Sequence, residues 1–401
     1  DLVKSTAFSD IKTMDKEEAV KAGLFNIIGA EMDDKYVAEL KKLILSPEVI
    51  KKQAENLKIV YTPFHGTGNV PVQRMLKELG FKQVYIVKEQ EEPDGDFTTL
   101  DYPNPEDEKA FTLALKLAKE KDADIVLAND PDADRLGVYA KDKKTGNYIQ
   151  FTGNMSGMLL AEYELSIKKE RGLLKDDSTL ITTIVSTNLA FKIAEYYKIH
   201  LIEVLTGFKF IGQQIKGFEE KGRGTYEFGF EESYGCLIGT HARDKDGIMA
   251  VVALCEAAAY YMDKGLTLWD QMVNMYEKYG YFKEGIYTMT LAGEDGAKRI
   301  NEILDNLRKN PPTELAGYKV VKTRDYENDI VKDLATGETT TTGLPKSNVL
   351  YFDMTDDAWF CVRPSGTEPK IKFYAGIKGN SLEDADEKLK KVLTELKKLG
   401  D

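Results

Sequence analysis

The sequence predicts an α/β protein: two consecutive α/β domains followed by a C-terminal α+β domain. Three observations carry this. Apolar runs of strand length alternate with helical patterns from residue 35 to about residue 275, an order that implies right-handed βαβ crossovers and largely parallel sheets. That order of elements occurs twice, over 35–150 and 151–275, without visible repetition of sequence. From about Tyr281 the texture changes to alternating strands such as FKEGIYTMTL, which places a separate α+β domain at 280–401. A chain of 401 residues has room for these units, at roughly 100–200 residues per domain.

Residues 1–34 are polar with weak periodicity and read as a linker or the remnant of a preceding domain. Apolar Tyr36, Val37, Leu40, Leu43 and Ile44 give a helix from Asp34 to about Asn56, broken at Pro47. Leu57–Phe64 is a buried strand, Val72–Leu79 a helix ended by Gly80, and Gln83–Val87 a second strand. A Pro-rich loop leads to a helix at Glu106–Glu120 and a third strand at Ala123–Asn129. In the second unit, strands are expected at Thr179–Ser186, His200–Leu205 and Thr225–Phe230, with helices at Asn188–Tyr197, Phe208–Lys221 and Asp246–Lys264. In the third, Glu294–Lys309 is helical, while NVLYFD, AWFCVR and KIKFYAGI read as antiparallel strands. The closing segment from Ser381 is an amphipathic helix with a capping box at Ser381 and Asp384.

Composition removes several classes of function. Lys+Arg 55 against Asp+Glu 67 leaves a net charge of −12, so nucleic acid and anionic membrane are not expected partners. Cys236, Cys255 and Cys361 form no CxxC pair, which argues against a disulfide framework and fits a cytoplasmic protein. No apolar leader opens the sequence. The most apolar helical stretch, Gly247–Met262, contains Glu256; at about 16 residues it is too short for a bilayer and reads as a buried helix.

Five loops can carry chemistry. Asn129–Arg135 (NDPDADR) directly follows an apolar strand. Asp130, Asp132 and Asp134 stand at alternate positions and can turn the same way. Three such charges repel unless a cation sits among them, and all-oxygen ligands point to a hard ion, Mg²⁺ first. An EF-hand is excluded, because its Gly and Glu positions are Arg135 and Lys141. Arg363–Lys370 (RPSGTEPK) offers a guanidinium fork, the hydroxyls of Ser365 and Thr367, and a close backbone approach at Gly366. It suits a phosphate monoester and equally a polar hairpin turn. Gly229–Gly235 (GFEESYG) can hold vicinal hydroxyls through Glu231, Glu232 and Ser233, or simply turn. Arg243–Gly247 (RDKDG) can meet phosphate through Lys245 and Arg243, or pair with its own aspartates. Thr62–Gly68 (TPFHGTG) is a strand-to-helix turn able to bind anions, and its His65 reads as structural. There is no P-loop, no dinucleotide GxGxxG after a strand, no HExxH and no GxSxG. Metal, phosphate and hydroxyl loops without a nucleotide cradle suggest phosphoryl chemistry on a sugar.

In this order, NDPDADR, TGFKFIG, GFEESYG, RDKDG and RPSGTEPKIKFY resemble the α-D-phosphohexomutases, the phosphoglucomutase and phosphomannomutase superfamily. The resemblance runs from about residue 35 to the end. It implies consecutive mixed-sheet α/β domains and a cleft to which each domain gives one loop. It implies that Asp130, Asp132 and Asp134 bind Mg²⁺ with Arg135 beside them. Glu231 and Ser233 would hold sugar hydroxyls, and Lys245 would lie near the reacting phosphate. Arg363, Ser365, Gly366 and Thr367 would grip the other phosphate, and Thr206 and Gly207 would discriminate substrate orientations. The implied reaction passes through a phosphoserine enzyme and a 1,6-bisphosphate, glucose 1,6-bisphosphate for the glucose substrate.

One feature departs from the pattern. The family's phosphoserine loop, T-[AS]-S-H-N-P, does not occur, and none of the three histidines follows a serine. The expectation is that an N-terminal catalytic-serine domain is missing from this chain and that the chain alone has no mutase turnover. The wording E-E-S-Y-G is closer to phosphoglucomutases than to the E-M-S-G-H of bifunctional enzymes. Glucose is therefore expected first, mannose second and a pentose third. Two other classes stand beside this reading: a non-catalytic phosphosugar-binding protein, and a phosphatase with an aspartate nucleophile.

Overall fold

The computed structural model describes residues 2–365 and 369–400, with the side chain of Glu294 left aside. Gly366 and Thr367 therefore lie outside the described residues. Two compact units are present, Asp1–Lys42 and Leu43–Asp401. The first contains helices α1 (Leu2–Ser5), α2 (Lys16–Lys21) and α3 (Gly29–Lys42). Asp15 caps α2 by accepting from the backbone N–H groups of Glu17 and Glu18. Large apolar side chains of this unit stand open, with Phe8 90% and Ile27 79% exposed.

The second unit opens with α4 (Pro47–Gln53). Pro47 splits the helix expected over 34–56: it takes the first helical position, where its missing N–H costs nothing. The first sheet comprises β1 (Lys58–Thr62), β2 (Gln83–Ile86), β3 (Ile125–Asn129), β4 (Leu136–Lys141) and β5 (Tyr148–Phe151), in the order β2-β1-β3-β4-β5. The first three strands are parallel and the last two antiparallel. α5 (Asn69–Glu78) and α6 (Thr112–Lys121) make the crossovers. Val60, Val126 and Ala128 pack with Phe111, Ala114 and Ala118 beneath α6. The helix expected at 106–120 begins later, at Thr112, after a 3-10 turn over Glu108–Phe111.

The second sheet is introduced by α7 (Gly153–Glu170), which the periodicity did not reveal. This helix is buried on nearly every side and rich in small residues, so it carries no polar stripe to mark it. There follow β6 (Ser178–Thr183), α8 (Leu189–Tyr197), β7 (His200–Val204), α9 (Phe208–Lys221), β8 (Thr225–Phe230), β9 (Cys236–Ile238), α10 (Gly247–Asp263) and α11 (Leu268–Tyr279). The strand order is β7-β6-β8-β9, with only β9 antiparallel. α10 is buried as expected. It touches β3 and β4 of the first sheet and β9 of the second, so the two sheets share it.

The third sheet is antiparallel. Its elements are β10 (Tyr281–Thr290), α12 (Gly293–Lys309), β11 (Glu314–Leu315), β12 (Tyr318–Asp325), β13 (Ile330–Asp333), β14 (Thr339–Thr340), β15 (Leu350–Met354), β16 (Trp359–Pro364), β17 (Lys370–Gly379) and α13 (Leu382–Gly400). The order is β10-β17-β16-β15-β12-β13-β14. One face packs Phe360 and Phe373 against Leu304 of α12 and Leu396 of α13. The other face packs Tyr351, Trp359 and Cys361 against Ile184 and Val185 at the end of β6. Asn154 of α7 also donates to Glu284 of β10 at 3.1 Å. At α13 the Ser381 hydroxyl accepts from the Asp384 N–H, but the Asp384 carboxylate accepts from Asn380, not from Ser381. The capping box is thus shifted by one residue on its return bond.

Among the described residues no helix is long and apolar enough to cross a membrane. The three cysteines are free and buried.

Two glycines make opposite predictions. A Cβ on Gly153 would come within 2.2 Å of the Glu232 carbonyl oxygen and 2.5 Å of the Tyr234 nitrogen. Backbone cannot yield cheaply, so Gly153→Ala is expected to cost about 2 kcal/mol. Gly217, inside α9, has nothing within 4 Å of that position, so Gly217→Ala is expected to gain up to about 1 kcal/mol from helix propensity. Urea midpoints of the two variants check both signs.

Candidate active site

The loop between β3 and β4 carries Asp130–Arg135. It is folded by its own side chains. Asn129 Nδ2 donates to the Arg135 carbonyl at 2.7 Å, the Arg135 N–H donates to Asp130 Oδ1 at 3.0 Å, and the Tyr61 hydroxyl donates to Asn129 Oδ1 at 3.0 Å. Ala133 turns the chain with φ +58°. As a result one oxygen each of Asp130, Asp132 and Asp134 falls within 4.8 Å of the others. Asp130 is buried, Asp134 half-buried and Asp132 exposed. Burial, and then the charges of Asp134 and Asp132, push the Asp130 carboxyl up to about 7 despite the bond from the Arg135 N–H. Three crowded carboxylates, one of them short of solvent, fit a hard divalent ion. Arg135 stands alongside, with Nε 3.5 Å from Asp130 and 3.7 Å from Asp134, and Nη1 3.6 Å from Glu106.

Three further loops close on this one. From TPFHGTG, the Thr67 N–H donates to the Pro131 carbonyl at 2.8 Å, and a Cβ on Gly66 would lie 2.4 Å from Pro131 Cα. His65 is structural: its Nδ1 pairs with the Glu92 carbonyl and its Nε2 with the Thr99 hydroxyl, both at 2.8 Å. From RDKDG, Lys245 Nζ reaches Asp134 and Asp244, each at 2.9 Å. Burial opposes the Lys245 charge, but the two aspartates outweigh it and hold the ammonium protonated. The Gly247 N–H donates to the Ala133 carbonyl at 3.0 Å, an approach that leaves no space for a Cβ. Arg243, weighed as a phosphate contact or a partner of its flanking aspartates, pairs instead with Glu219 of α9.

From GFEESYG, the Tyr234 carbonyl accepts from the Leu136 N–H at 2.9 Å, and Arg135 and Gly235 form an antiparallel bridge. The sugar-loop candidate is thus hydrogen-bonded to the metal-loop candidate. Gly235 is required where Lys245 passes, since a Cβ there would meet Lys245 Cδ at 2.1 Å. Glu231 Oε1 accepts from the Gly207 N–H at 2.7 Å, which joins Thr206-Gly207 to the same loop. Gly207 has φ +117°, a conformation that favours glycine, at the start of α9. Burial, and then the Glu232 charge, push the Glu231 carboxyl up to about 7.

Arg363 and Ser365 come from the third sheet. Arg363 of β16 is in register with Lys372 of β17, and its guanidinium lies 6.0 Å from the Tyr374 ring centroid. Lys372 and Tyr374 line a cavity of about 230 Å³ whose other walls include Glu232, Ser233, Tyr234 and Glu106. The third sheet therefore meets the sugar loop across this cavity. Sequence reading passed over Glu106 and Lys372. Lys372 becomes visible only once strand register places it opposite Arg363, and Glu106 only once the proline-rich loop is folded.

Residues 34–145 match the phosphoglucomutase/phosphomannomutase alpha/beta/alpha domain II, and residues 152–279 match domain III of the same family. A phosphoglucomutase of Staphylococcus epidermidis is 38% identical over 324 residues, covering 80% of this chain and 58% of that protein. One from Staphylococcus aureus is 37% identical over 338 residues, covering 84% and 60%. The chain thus spans under two thirds of these relatives' length. Among solved structures, the Paramecium phosphoglucomutase parafusin aligns with TM-score 0.60 at 18% identity, over 92% of this chain and 62% of its own. A phosphoglucomutase/phosphomannomutase family protein of Burkholderia thailandensis aligns with TM-score 0.59 at 18% identity, over 92% and 63%. At that identity the structures speak for the fold, and the sequence matches for descent. This chain belongs to the phosphoglucomutase/phosphomannomutase family.

Proposed function

We propose that this chain carries the metal, sugar and distal-phosphate loops of a phosphoglucomutase, an intramolecular phosphotransferase of the cytoplasm acting on glucose 1-phosphate and glucose 6-phosphate. On this reading its domains span 35–150, 151–275 and 280–401. The observation that carries the reading is the contact of Lys245 with Asp134 at 2.9 Å, in a loop also bonded to the sugar-loop candidate. It supports a reading in which Lys245, the aspartate triad and Glu231 serve one site.

Asp130, Asp132 and Asp134 would hold Mg²⁺. When bound, the ion supplies positive charge for the transferring phosphoryl group. Lys245 and Arg135 add fixed donors on the same side. Glu231 and Ser233 hold adjacent sugar hydroxyls and so fix which carbon faces the triad. Arg363 and Ser365, with Gly366 and Thr367, hold the far phosphate. The phosphoryl donor is a phosphoserine of an N-terminal domain of the same polypeptide. The greater length of the relatives, of which this chain covers 58% and 60%, supports that reading. Transfer gives glucose 1,6-bisphosphate, which turns over in the cleft and returns phosphate from its other oxygen. The sequence of the sugar loop favours glucose over mannose or a pentose.

Three outcomes are expected. Calorimetric titration of the chain with Mg²⁺ present should show glucose 1-phosphate binding more tightly than mannose 1-phosphate or ribose 1-phosphate. Arg363→Ala and Glu231→Ala should each weaken it about tenfold or more, as loss of a charge-assisted hydrogen bond does; equal binding of all three sugars contradicts the substrate assignment. In the metal site, Asp132→Asn should weaken Mg²⁺ binding about tenfold or more while leaving the metal-free thermal midpoint unchanged or higher, because it removes one of three repelling charges. Burial and the Glu232 charge push the Glu231 carboxyl up to about 7. A hydroxyl-bearing ligand that prefers the carboxylate should therefore bind more tightly as pH rises from 6 to 8. The part of that slope that disappears in Glu231→Gln measures this group, apart from the ligand phosphate's own titration.

A further inference from the structure

Glu232 stands between the two proposed sugar contacts, and the chemistry above gives it no task. Its position is nevertheless fixed. Its Oε2 accepts from the Thr183 hydroxyl at 2.9 Å, and that hydroxyl lies 2.9 Å from the Ser186 hydroxyl. Its carbonyl oxygen is packed against Gly153 at the start of α7. Its side chain lines the cavity of about 230 Å³ that also has Lys372 and Tyr374 in its wall. Arg363 stands beside that wall, in register with Lys372 and 6.0 Å from the Tyr374 ring centroid. Neither Arg363 nor Lys372 forms a direct ion pair among the described residues. One carboxylate on the loop after β8 thus shares a cavity with Lys372 of the third sheet, which has Arg363 beside it in register, and Glu106 and Glu284 complete the acidic part of the wall. Burial raises the Glu232 carboxyl above its ordinary range, and the bond from Thr183 and the fields of Arg363 and Lys372, which favour its charged form, offset part of that rise.

We propose that Glu232 is a specificity-determining counter-charge that weakens capture of a free phosphate ion by Arg363 and Lys372. A phosphate is then retained only when the sugar attached to it also engages Glu231 and Ser233. The inference rests on the reading of Arg363 as a phosphate contact and extends it to discrimination between phosphosugar and inorganic phosphate. The physical basis is simple. A fixed negative charge facing an anion site costs every anion alike. A phosphosugar offsets that cost with hydroxyl contacts made in the same binding event, and inorganic phosphate has none to make.

The test is calorimetric titration of the 401-residue chain with inorganic phosphate and, separately, with glucose 1-phosphate, at constant Mg²⁺. Glu232→Gln should bind inorganic phosphate about fivefold more tightly and show a smaller preference for glucose 1-phosphate over phosphate. Glu232→Asp, which keeps the charge, should stay close to the parent chain. Lost packing alone would weaken both ligands, so a gain is the diagnostic sign. Lys372→Gln, which leaves the Glu232 contacts with Thr183 in place, should weaken inorganic phosphate. Unchanged or weaker phosphate binding in Glu232→Gln, a gain in Glu232→Asp equal to that in Glu232→Gln, or no effect of Lys372→Gln overturns the proposal. Arg363→Ala separates the two levels: if it leaves phosphate binding intact, the phosphate-site reading fails as well. If it weakens phosphate but Glu232→Gln does not strengthen it, only the counter-charge fails.

Discussion

Holding three carboxylates together is the constraint from which the rest of this site follows. Two like charges about 4 Å apart repel by about 4 kcal/mol at an effective dielectric constant of about 20, a large share of a domain's net stability. Asp130, Asp132 and Asp134 are kept within 4.8 Å of one another all the same. The backbone supplies the means. Asn129 and the Arg135 N–H close the loop from inside, and the carbonyls of Pro131, Ala133 and the neighbouring Tyr234 anchor it through bonds from Thr67, Gly247 and Leu136. Lys245 and Arg135 then offset part of the charge.

These anchors come from different elements, which is why the fold matters to the site. α10 packs on both α/β sheets, and its first residue, Gly247, bonds to the aspartate loop. The second sheet delivers Glu231 and Ser233 on a loop bridged to Arg135. The third sheet rests on the end of β6 through Trp359 and Tyr351, and on α7 through Glu284. A movement of any one sheet would change the distance between a charge on one loop and its partner on another. At Gly66, Gly153 and Gly247 a neighbouring backbone approaches too closely for any side chain, and at Gly235 the Lys245 side chain takes the space.

Much of this was legible in the sequence because it is written locally. Strand runs such as Thr225–Phe230 and helices such as Phe208–Lys221 appear at the bounds their periodicity predicts. The aspartates at alternate positions after a strand do gather on one point. What stayed hidden depends on tertiary placement. α7 carries no polar face, so its 18 residues offer no helical stripe to read. The mixed character of both sheets was implied by the resemblance, but the strands that cause it, β4 and β5 in the first sheet and β9 in the second, were not read from the pattern. Arg243 looked equivalent to Lys245 in RDKDG; only the fold shows that Glu219 takes the first and Asp134 the second. Lys372, Glu106 and the facing of Glu232 toward the third sheet required strand register and packing that no local pattern encodes.

On the proposed function, one cleft binds a divalent ion at the aspartates and a phosphosugar between Glu231 and Arg363. The most direct measurement is a crystal structure of the chain with Mn²⁺ and glucose 1-phosphate, the ion located by its anomalous scattering. A single strong peak coordinated by Asp130, Asp132 and Asp134 is expected, with sugar hydroxyls on Glu231 and Ser233 and a phosphate on Arg363. An ion bound elsewhere with the triad unoccupied, or a sugar held away from Glu231, would contradict it.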